Sequence, residues 1–452
     1  MASSKHEIDL TKGKMFLKII KFVIPLIFSG ILQNLFNTAD TVVVGRFAGD
    51  NSLAAVGSTS SLTHLIINLF IGLSLGATIV VSRHFGAKNE KRMHNASHTA
   101  IAISLISGVF LAIAGFFISE PLLKLMGSPK EVLSLSVLYM KVYFAGMPFV
   151  MLYNFASGIM RSYGDTKRPL YYLTLAGVIN VALNLIFVIV FHLNVLGVAL
   201  ATVISQVVSA LLTLYSLTRV QNGCRIDFRK IKIHKQELIM IVKAGIPAGI
   251  QSCLFSISNV LIQSSVNSFG KNAIAAQSAA ASVENFVYVA MNAFGNACVT
   301  ACSQNIGAKK PGRIFKSWTI CLSSVIAVWI VMGAAVLGFS HQLLSLFTKS
   351  EPVIELGTMR LGIIVSSYFI AGIMEVSVGA LRGMGYSFVP MLISLFGVCA
   401  FRIAWIMTVF SHYRSLQCLY FSYPTSWAIT ALIQTILFVI LVNKMKKKMN
   451  NI

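Results

Sequence analysis

Twelve predominantly apolar stretches, each long enough to cross a lipid bilayer, follow one another along almost the whole chain: 16–46, 60–82, 96–119, 132–160, 169–191, 195–219, 238–267, 276–304, 315–340, 353–381, 388–410 and 420–443. A spanning helix needs about 20 such residues, and apolar runs repeated over the full length are not the pattern of a few core helices. With 56% of the 452 residues hydrophobic and only 11% charged, the chain is expected to be an all-α polytopic membrane protein with twelve transmembrane helices. The first run is too long for a cleaved signal peptide and should remain as a spanning helix.

The net charge of +23 could suit a nucleic-acid binder, but the placement of the cations argues otherwise. Lys5, Lys12, Lys14 and Lys18 precede the first run, Arg83, Lys88, Lys91 and Arg92 follow the second, and Arg161, Lys167 and Arg168 follow the fourth. Arg219 to Lys235, Lys309 to Lys316 and Lys444 to Lys448 continue the pattern, while the intervening loops carry few. Loops rich in Lys and Arg lie on the cytoplasmic side, so both termini should be cytoplasmic and the protein integral to the cell membrane. No basic face interleaved with stacking aromatics appears, and no nucleic-acid partner is expected. Seven scattered cysteines without a Cys-x-x-Cys pair predict neither a disulfide framework nor a zinc site. His-Glu-x-x-His, Gly-x-Ser-x-Gly and nucleotide-binding loops are all missing, which argues against an enzyme.

The chain also repeats itself. Ser82-Arg-His-Phe-Gly-Ala-Lys-Asn-Glu-Lys-Arg92 returns as Ser303-Gln-Asn-Ile-Gly-Ala-Lys-Lys-Pro-Gly-Arg313, with Gly86 and Gly307 standing 221 residues apart. At the same offset Gly49, Asn51, Ala54 and Ala55 fall on Gly270, Asn272, Ala275 and Ala276, and Gly158, Arg161, Gly164 and Pro169 fall on Gly379, Arg382, Gly385 and Pro390. A slip of one maps Pro25 to Pro247. Each copy holds six spans, an even number, so the copies are parallel repeats with a central cleft expected between them. The division is an N-terminal six-helix lobe at 1–221, a basic cytoplasmic linker at 222–237 and a C-terminal six-helix lobe at 238–452. The linker reads as a membrane-surface amphipathic helix or as a solvated connector.

Asp40 is buried in the first run, where a carboxylate costs about 3 kcal/mol on insertion scales and therefore faces a cavity, a partner or an ion path. Gln33, Asn37 and Asp40 share one helical face as a polar stripe. The bland alternative is a structural hydrogen bond to another helix. Helix 7 carries Ser252, Ser256, Asn259, Gln263 and Asn267 at steps of three or four, and helix 8 carries Glu284, Tyr288, Asn292 and Asn296. Singly such residues are interhelical glue worth about 0.6–2 kcal/mol; as sets they imply a water-accessible substrate cleft lined by Asn259, Gln263, Glu284, Tyr288 and Asn292. Under the repeat Asp40 falls on Ile262 and Glu284 on Thr63, so the membrane carboxylates break the pseudo-symmetry that Asn37 and Asn259 keep.

Together the twelve spans, the two Gly-Ala-Lys loops, Arg161-Ser-Tyr-Gly-Asp-Thr-Lys-Arg-Pro169 with its echo Leu381-Arg-Gly-Met-Gly385, and Asp40 after Pro25 resemble the MATE multidrug and toxic compound extrusion transporters, whose wider superfamily includes lipid-linked sugar flippases. The resemblance implies a cation site at Asp40, Asn180, Asn184 and Thr202, with Asn184 standing where many members carry an Asp. A single carboxylate among neutral oxygens suits Na+, a hard cation, as well as a proton. It further implies that Pro25 is a hinge coupled to Asp40; as structure alone Pro25 is a tolerated kink. The expected function is a secondary active antiporter that exports amphiphilic organic cations by alternating access in exchange for H+ or Na+. The alternative is a flippase for a lipid-linked glycan, kept open by Lys141, Arg360 and Arg402. No cofactor is expected, no metal beyond Na+ at Asp40, and no partner beyond a small-molecule substrate and membrane lipid; the protein should be monomeric.

Overall fold

The computed structural model describes residues 7–126 and 130–450. In the first half α1 (Met15–Val43) continues through a π-helical turn at Val44–Ala48 and is followed by α2 (Asp50–Gly86), α3 (Glu90–Leu125), α4 (Lys130–Ala145), α5 (Met147–Ser162), α6 (Lys167–Leu185, extended by π-helical Ile186–Val190) and α7 (Asn194–Thr218). In the second half come α8 (Lys235–Asn267), α9 (Lys271–Gly307), α10 (Pro311–Gly338), the short α11 (Ser340–Ser345), α12 (Glu351–Ser366), α13 (Tyr368–Gly383), α14 (Phe388–Ser394), α15 (Phe401–Met407), α16 (Val409–His412) and α17 (Leu416–Asn450). A π-helical Leu395–Ala400 joins α14 to α15.

Among the described residues ten helices are long and apolar enough to cross a membrane, and two bent pairs bring the number to twelve. The pair α4 and α5 bends by 46° and the pair α12 and α13 by 44°. The bends fall at Gly146 and Ser367, again 221 residues apart. Phe117, Val331 and Met407 are 69%, 71% and 72% exposed; this outward apolar surface belongs in lipid. All seven cysteines are free.

The chain folds as two compact units. The first comprises the described residues up to Asp9 together with Ile24–Gly249, and the second Leu10–Val23 together with the described residues from Ile250 onward. The changeovers lie beside Pro25 and Pro247, so α1 and α8 each give their first turns to one unit and the remainder to the other.

In the first unit Phe155, Ile159, Met160 and Tyr163 of α5 pack on Val80 and Val81 of α2 and on Ala100 and Ile101 of α3. Gly72 and Gly76 of α2 meet Gly245 and Gly249 of α8 so closely that a Cβ on Gly72 would lie 2.3 Å from the Gly249 nitrogen. Small residues let membrane helices approach to backbone contact in this way. Glu237, at the start of α8, accepts hydrogen bonds from His84 Nε2 at 2.8 Å and Arg92 Nε at 2.9 Å. The segment after α7 is not a continuous helix, and much of it is exposed. Its only helical turn is the 3-10 turn Phe228–Lys230, and its backbone is pinned to α3: Asp227 N donates to His98 Nε2 at 3.1 Å and His234 N to Thr99 Oγ1 at 3.0 Å. Burial in this segment pushes the Cys224 thiol up to about 12, and the Arg229 backbone N–H beside Asp227 holds its carboxyl below the usual range.

In the second unit the segment ahead of α1 clasps the 303–313 loop much as Glu237 clasps the 82–92 loop in the first. Leu10 N donates to Gln304 Oε1 at 2.9 Å, and Arg313 Nη2 donates to Leu10 O at 3.1 Å.

The repeat is also written in the backbone. Lys88 and Lys309 both take φ 54°, and Gly164 and Gly385 take φ 96° and 99°. At each position the helix before it ends in the same way: the N–H of the left-handed residue bonds the carbonyl three back, and the next N–H bonds the carbonyl five back, as with Lys309 to Ile306 and Lys310 to Asn305. This closure needs a left-handed residue, which glycine supplies freely and other residues at a cost of about 1–2 kcal/mol. Lys309→Gly should therefore raise stability by about 1 kcal/mol and Gly385→Ala lower it by a similar amount. Melting of the purified protein in detergent checks both signs; a Lys309→Gly variant that melts at or below the parent contradicts the account.

Candidate functional site

The site implied by the family resemblance is assembled in the first unit from α1, α6 and α7. Phe36 of α1 lies against Gly177 of α6, where a Cβ would stand 1.8 Å from the Phe36 ring. That close approach sets Asp40, one turn further along α1, beside Asn184, two turns further along α6. Asn184 Nδ2 donates to Asp40 Oδ1 at 2.5 Å and to Asn180 Oδ1 at 3.3 Å. Asn180 Nδ2 in turn reaches Thr202 Oγ1 at 3.5 Å, and the Thr202 hydroxyl donates to Val198 O at 3.0 Å. All four residues therefore fall in one hydrogen-bonded chain. Asn180 and Asn184 are buried, whereas Asp40 and Thr202 are half-buried.

Two features of this chain bear on what it can hold. Among the described residues Asp40 forms no ion pair. Asn184 Oδ1 is buried with no hydrogen-bond partner, a state that costs about 1–3 kcal/mol. The donor set is entirely oxygen: a carboxylate, two amide carbonyls and a hydroxyl. Such a set fits a hard monovalent cation or a proton and offers nothing to a soft metal. Among the described residues no three His, Cys, Asp or Glu side chains gather as a metal site.

Gln33 and Asn37 lie on the exposed face of α1, along the stripe that leads to Asp40, and neither bonds the four-residue chain. Tyr139 was not legible as a neighbour. It packs on Val43, Val44, Val188 and Val198, and its phenol lies in the field of Asp40. Pro25 is buried within the unbroken α1, its carbonyl accepting from Ser29 Oγ at 2.8 Å.

The five residues expected to line a cleft are not joined in one hydrogen-bonded group, although Asn259 and Glu284 border one aromatic cluster through Arg402, Trp427 and Tyr368. Gln263 Nε2 donates to Asn267 Oδ1 at 2.9 Å, and Tyr288 bonds Asn292, which also accepts from Asn296 Nδ2 at 2.8 Å. Asn259 is exposed and accepts from Arg402 Nη1 at 3.4 Å. Glu284 overturns the expectation of an open carboxylate for an organic cation: it is 5% exposed, accepts from Arg360 Nη1 at 2.5 Å and is reached by the Tyr368 hydroxyl at 3.4 Å. The partner lies 76 residues away in sequence, which a helical stripe cannot reveal. Of the other cations singled out, Lys141 sits over the Phe116 ring at 4.7 Å.

Comparison with known proteins fixes the family. The MatE family model matches twice, over residues 25–186 and 247–407, one match to each copy of the repeat. The chain belongs to the MatE family. It is 30% identical over 421 residues to the Bacillus subtilis (strain 168) protein named "Probable multidrug resistance protein YoeA", covering 91% of each chain. It is 24% identical over 374 residues to "Multidrug export protein MepA" of Staphylococcus aureus (strain NCTC 8325 / PS 47), covering 83% of each. Among solved structures it superposes with a TM-score of 0.92 at 22% identity on the outward-facing conformation of a multidrug resistance MATE family transporter, covering 99% of this chain and 100% of that one. A MATE in the bent conformation gives 0.91 at 22% identity, with 99% of each covered. This MATE protein is thus a member of a multidrug efflux transporter family and an integral membrane protein, and its relatives are transporters.

The Glu284–Arg360 pair yields a direct test. Breaking a buried ion pair from one side strands a charge and costs about 3–5 kcal/mol, whereas replacing both partners by apolar residues is often neutral. Glu284→Leu should lower the melting temperature sharply and Glu284→Leu with Arg360→Met should restore most of it; a single variant that melts as the parent does would show that the pair holds nothing together.

Proposed function

We propose that this MATE protein is a secondary active antiporter of the cytoplasmic membrane, with both termini cytoplasmic, exporting amphiphilic organic compounds by alternating access in exchange for H+ or Na+. One observation carries the reading: an aspartate inside a membrane helix, free of any described basic partner and accepting from the amide nitrogen of Asn184, which leads to Asn180 and Thr202 and carries an orphaned carbonyl oxygen. As drawn, Asn184 donates its amide N–H to Asp40, which suits an ionised carboxylate. Half a turn about the last torsion of Asn184 presents Oδ1 instead, either to a proton carried by Asp40 or to a Na+ held between them. The orphaned oxygen then has a partner, and the amide N–H group gives up its bonds to Asp40 and Asn180 in exchange.

A cation can drive transport only through a difference in its affinity for two conformations. Coupling of this kind typically amounts to about 1–3 kcal/mol, and a membrane potential of about 100 mV supplies about 2.3 kcal/mol per charge. The hinge that responds is assigned to Pro25, which removes one backbone donor from α1 fifteen residues before Asp40. Glu284, held by Arg360, gives a cationic substrate no anionic partner, so the proposed substrate class is left at amphiphilic compounds. A second reading, a flippase for a lipid-linked glycan or related amphiphile, is favoured by Arg402, which has no described carboxylate partner.

Proteoliposomes with Na+ and pH gradients imposed separately decide the matter. Dye efflux by the parent should follow one of the two gradients, and Asp40→Asn should abolish gradient-driven efflux while the protein still folds and elutes as the parent does. Unimpaired transport by Asp40→Asn refutes the antiport assignment; lipid translocation indifferent to both gradients favours the flippase.

A further inference from the structure

The second unit buries two guanidiniums among aromatic rings and treats them differently. Arg360 is answered by Glu284 at 2.5 Å. Arg402, on α15 and 3% exposed, has only neutral company: its Nε donates to Ser426 Oγ at 3.1 Å and its Nη1 to Asn259 Oδ1 at 3.4 Å. Its guanidinium carbon lies 4.0 Å from the centre of the Tyr423 ring and 5.9 Å from that of Trp427. Hydroxyls, amides and ring faces solvate a guanidinium but leave its charge standing, and among the described residues no carboxylate pairs with it. Arginine stays protonated in proteins, so neutralisation by losing the proton is closed to it. Asn259, which holds the group, is exposed.

Its place in the repeat adds weight. Tyr423 is the counterpart of Thr202, Asn259 of Asn37, and Arg402 stands one position after the counterpart of Asn180, each by the offsets that relate the two copies. The second unit thus carries a buried guanidinium among the counterparts of the residues that surround Asp40 in the first. Ionisable groups left open inside a membrane protein mark substrate or ion pathways.

We propose that Arg402 anchors an anionic group, a phosphate, sulfonate or carboxylate, on the amphiphile that this transporter carries. The fork of guanidinium N–H groups takes the anion's oxygens, as such forks take carboxylate and phosphate elsewhere, Asn259 holds the fork in position, and Tyr423 and Trp427 offer flat apolar surface to the adjoining part of the ligand. This deepens the export reading and rests on it for the word substrate, but its test needs no gradient.

Binding is measured on the purified full chain in maltoside micelles with two probes of equal chain length, dodecyl phosphate and dodecyltrimethylammonium. The parent should bind the phosphate about tenfold or more tightly than the ammonium, and Arg402→Gln should lose about tenfold for the phosphate with no change for the ammonium. Should Arg402→Gln fail to fold, Asn259→Ala, at an exposed position, should weaken the phosphate alone by about threefold, because a loosened fork pairs less well. Equal binding of the two probes by the parent, or a phosphate affinity unmoved in both variants, overturns the proposal. So does a lowered melting point in Arg402→Gln with the probe preference intact, which would make Arg402 a rivet between α15 and α17. Competition against dodecyl phosphate by inorganic phosphate, or by phosphatidylglycerol in nanodiscs, supports the proposal and names the source of the anion. Failure of Asp40-dependent efflux would leave an anion preference at Arg402 standing, so the two readings fail separately.

Discussion

Hydrocarbon offers no hydrogen bonds and no counter-charge, so every ionised group inside this fold must be answered by another part of the chain or left for something that comes and goes. Most are answered. Glu284 is met by Arg360, Glu237 by His84 and Arg92, and Asp165 by Arg168. Arg382, bonded to Gln251, and Arg161 and Glu375 form no ion pair among the described residues either; Asp40 and Arg402, one in each unit and of opposite sign, are each bonded only to neutral groups. Function is assigned to these two because structural needs do not account for them: a hydrogen bond between helices is made as well by an asparagine, and a stacked planar side chain needs no charge.

The twelve spans were legible because apolar length is a one-dimensional property, and each run survives as a helix or a bent pair. The repeat was legible for a related reason: the residues that recur at 221 include those with special backbone demands, such as Gly164 and Gly385 at φ near 100°. What periodicity could not give is azimuth. It showed that Gln33, Asn37 and Asp40 share a face, and that Glu284 and Tyr288 share another, but a helix carries no record of which neighbour each face meets. Glu284, expected to line a cleft, is therefore found held by Arg360, and no sequence pattern marks Tyr139 as a neighbour of Asp40. The group of Asn180, Asn184 and Thr202 came from family resemblance, and the close contact of Phe36 with Gly177 is the packing that brings Asn184 to Asp40.

The two Lys-Gly contrasts show how far sequence repetition and physical optimum can part. Lys88 and Lys309 hold the same strained conformation that Gly164 and Gly385 hold without strain. The loops that contain them are clasped from outside, through Glu237 at the start of α8 in the first unit and through Leu10, ahead of α1, in the second. A cap that is locally unfavourable and held from outside is over-determined by its surroundings, which is the condition under which such conformations persist. Lysine at these positions also keeps charge in a basic loop, where a glycine would give conformational ease and lose it.

The same comparison bears on how a repeated protein becomes a directional one. Two identical copies would bind the same ligand twice. Here the position of Asp40 is taken in the second copy by Ile262, fully buried, and that of Thr202 by Tyr423, which lies beneath Arg402. Arg360 occupies the position of Tyr139, so the ring that lies in the field of Asp40 in one copy is replaced by the cation that neutralises Glu284 in the other. On the functions proposed above, one copy keeps a site for a small cation and the other a site for an anion. Ligands of opposite charge then have different homes on related scaffolds, and exchange of one for the other follows if each site favours a different conformation of the helices that carry it.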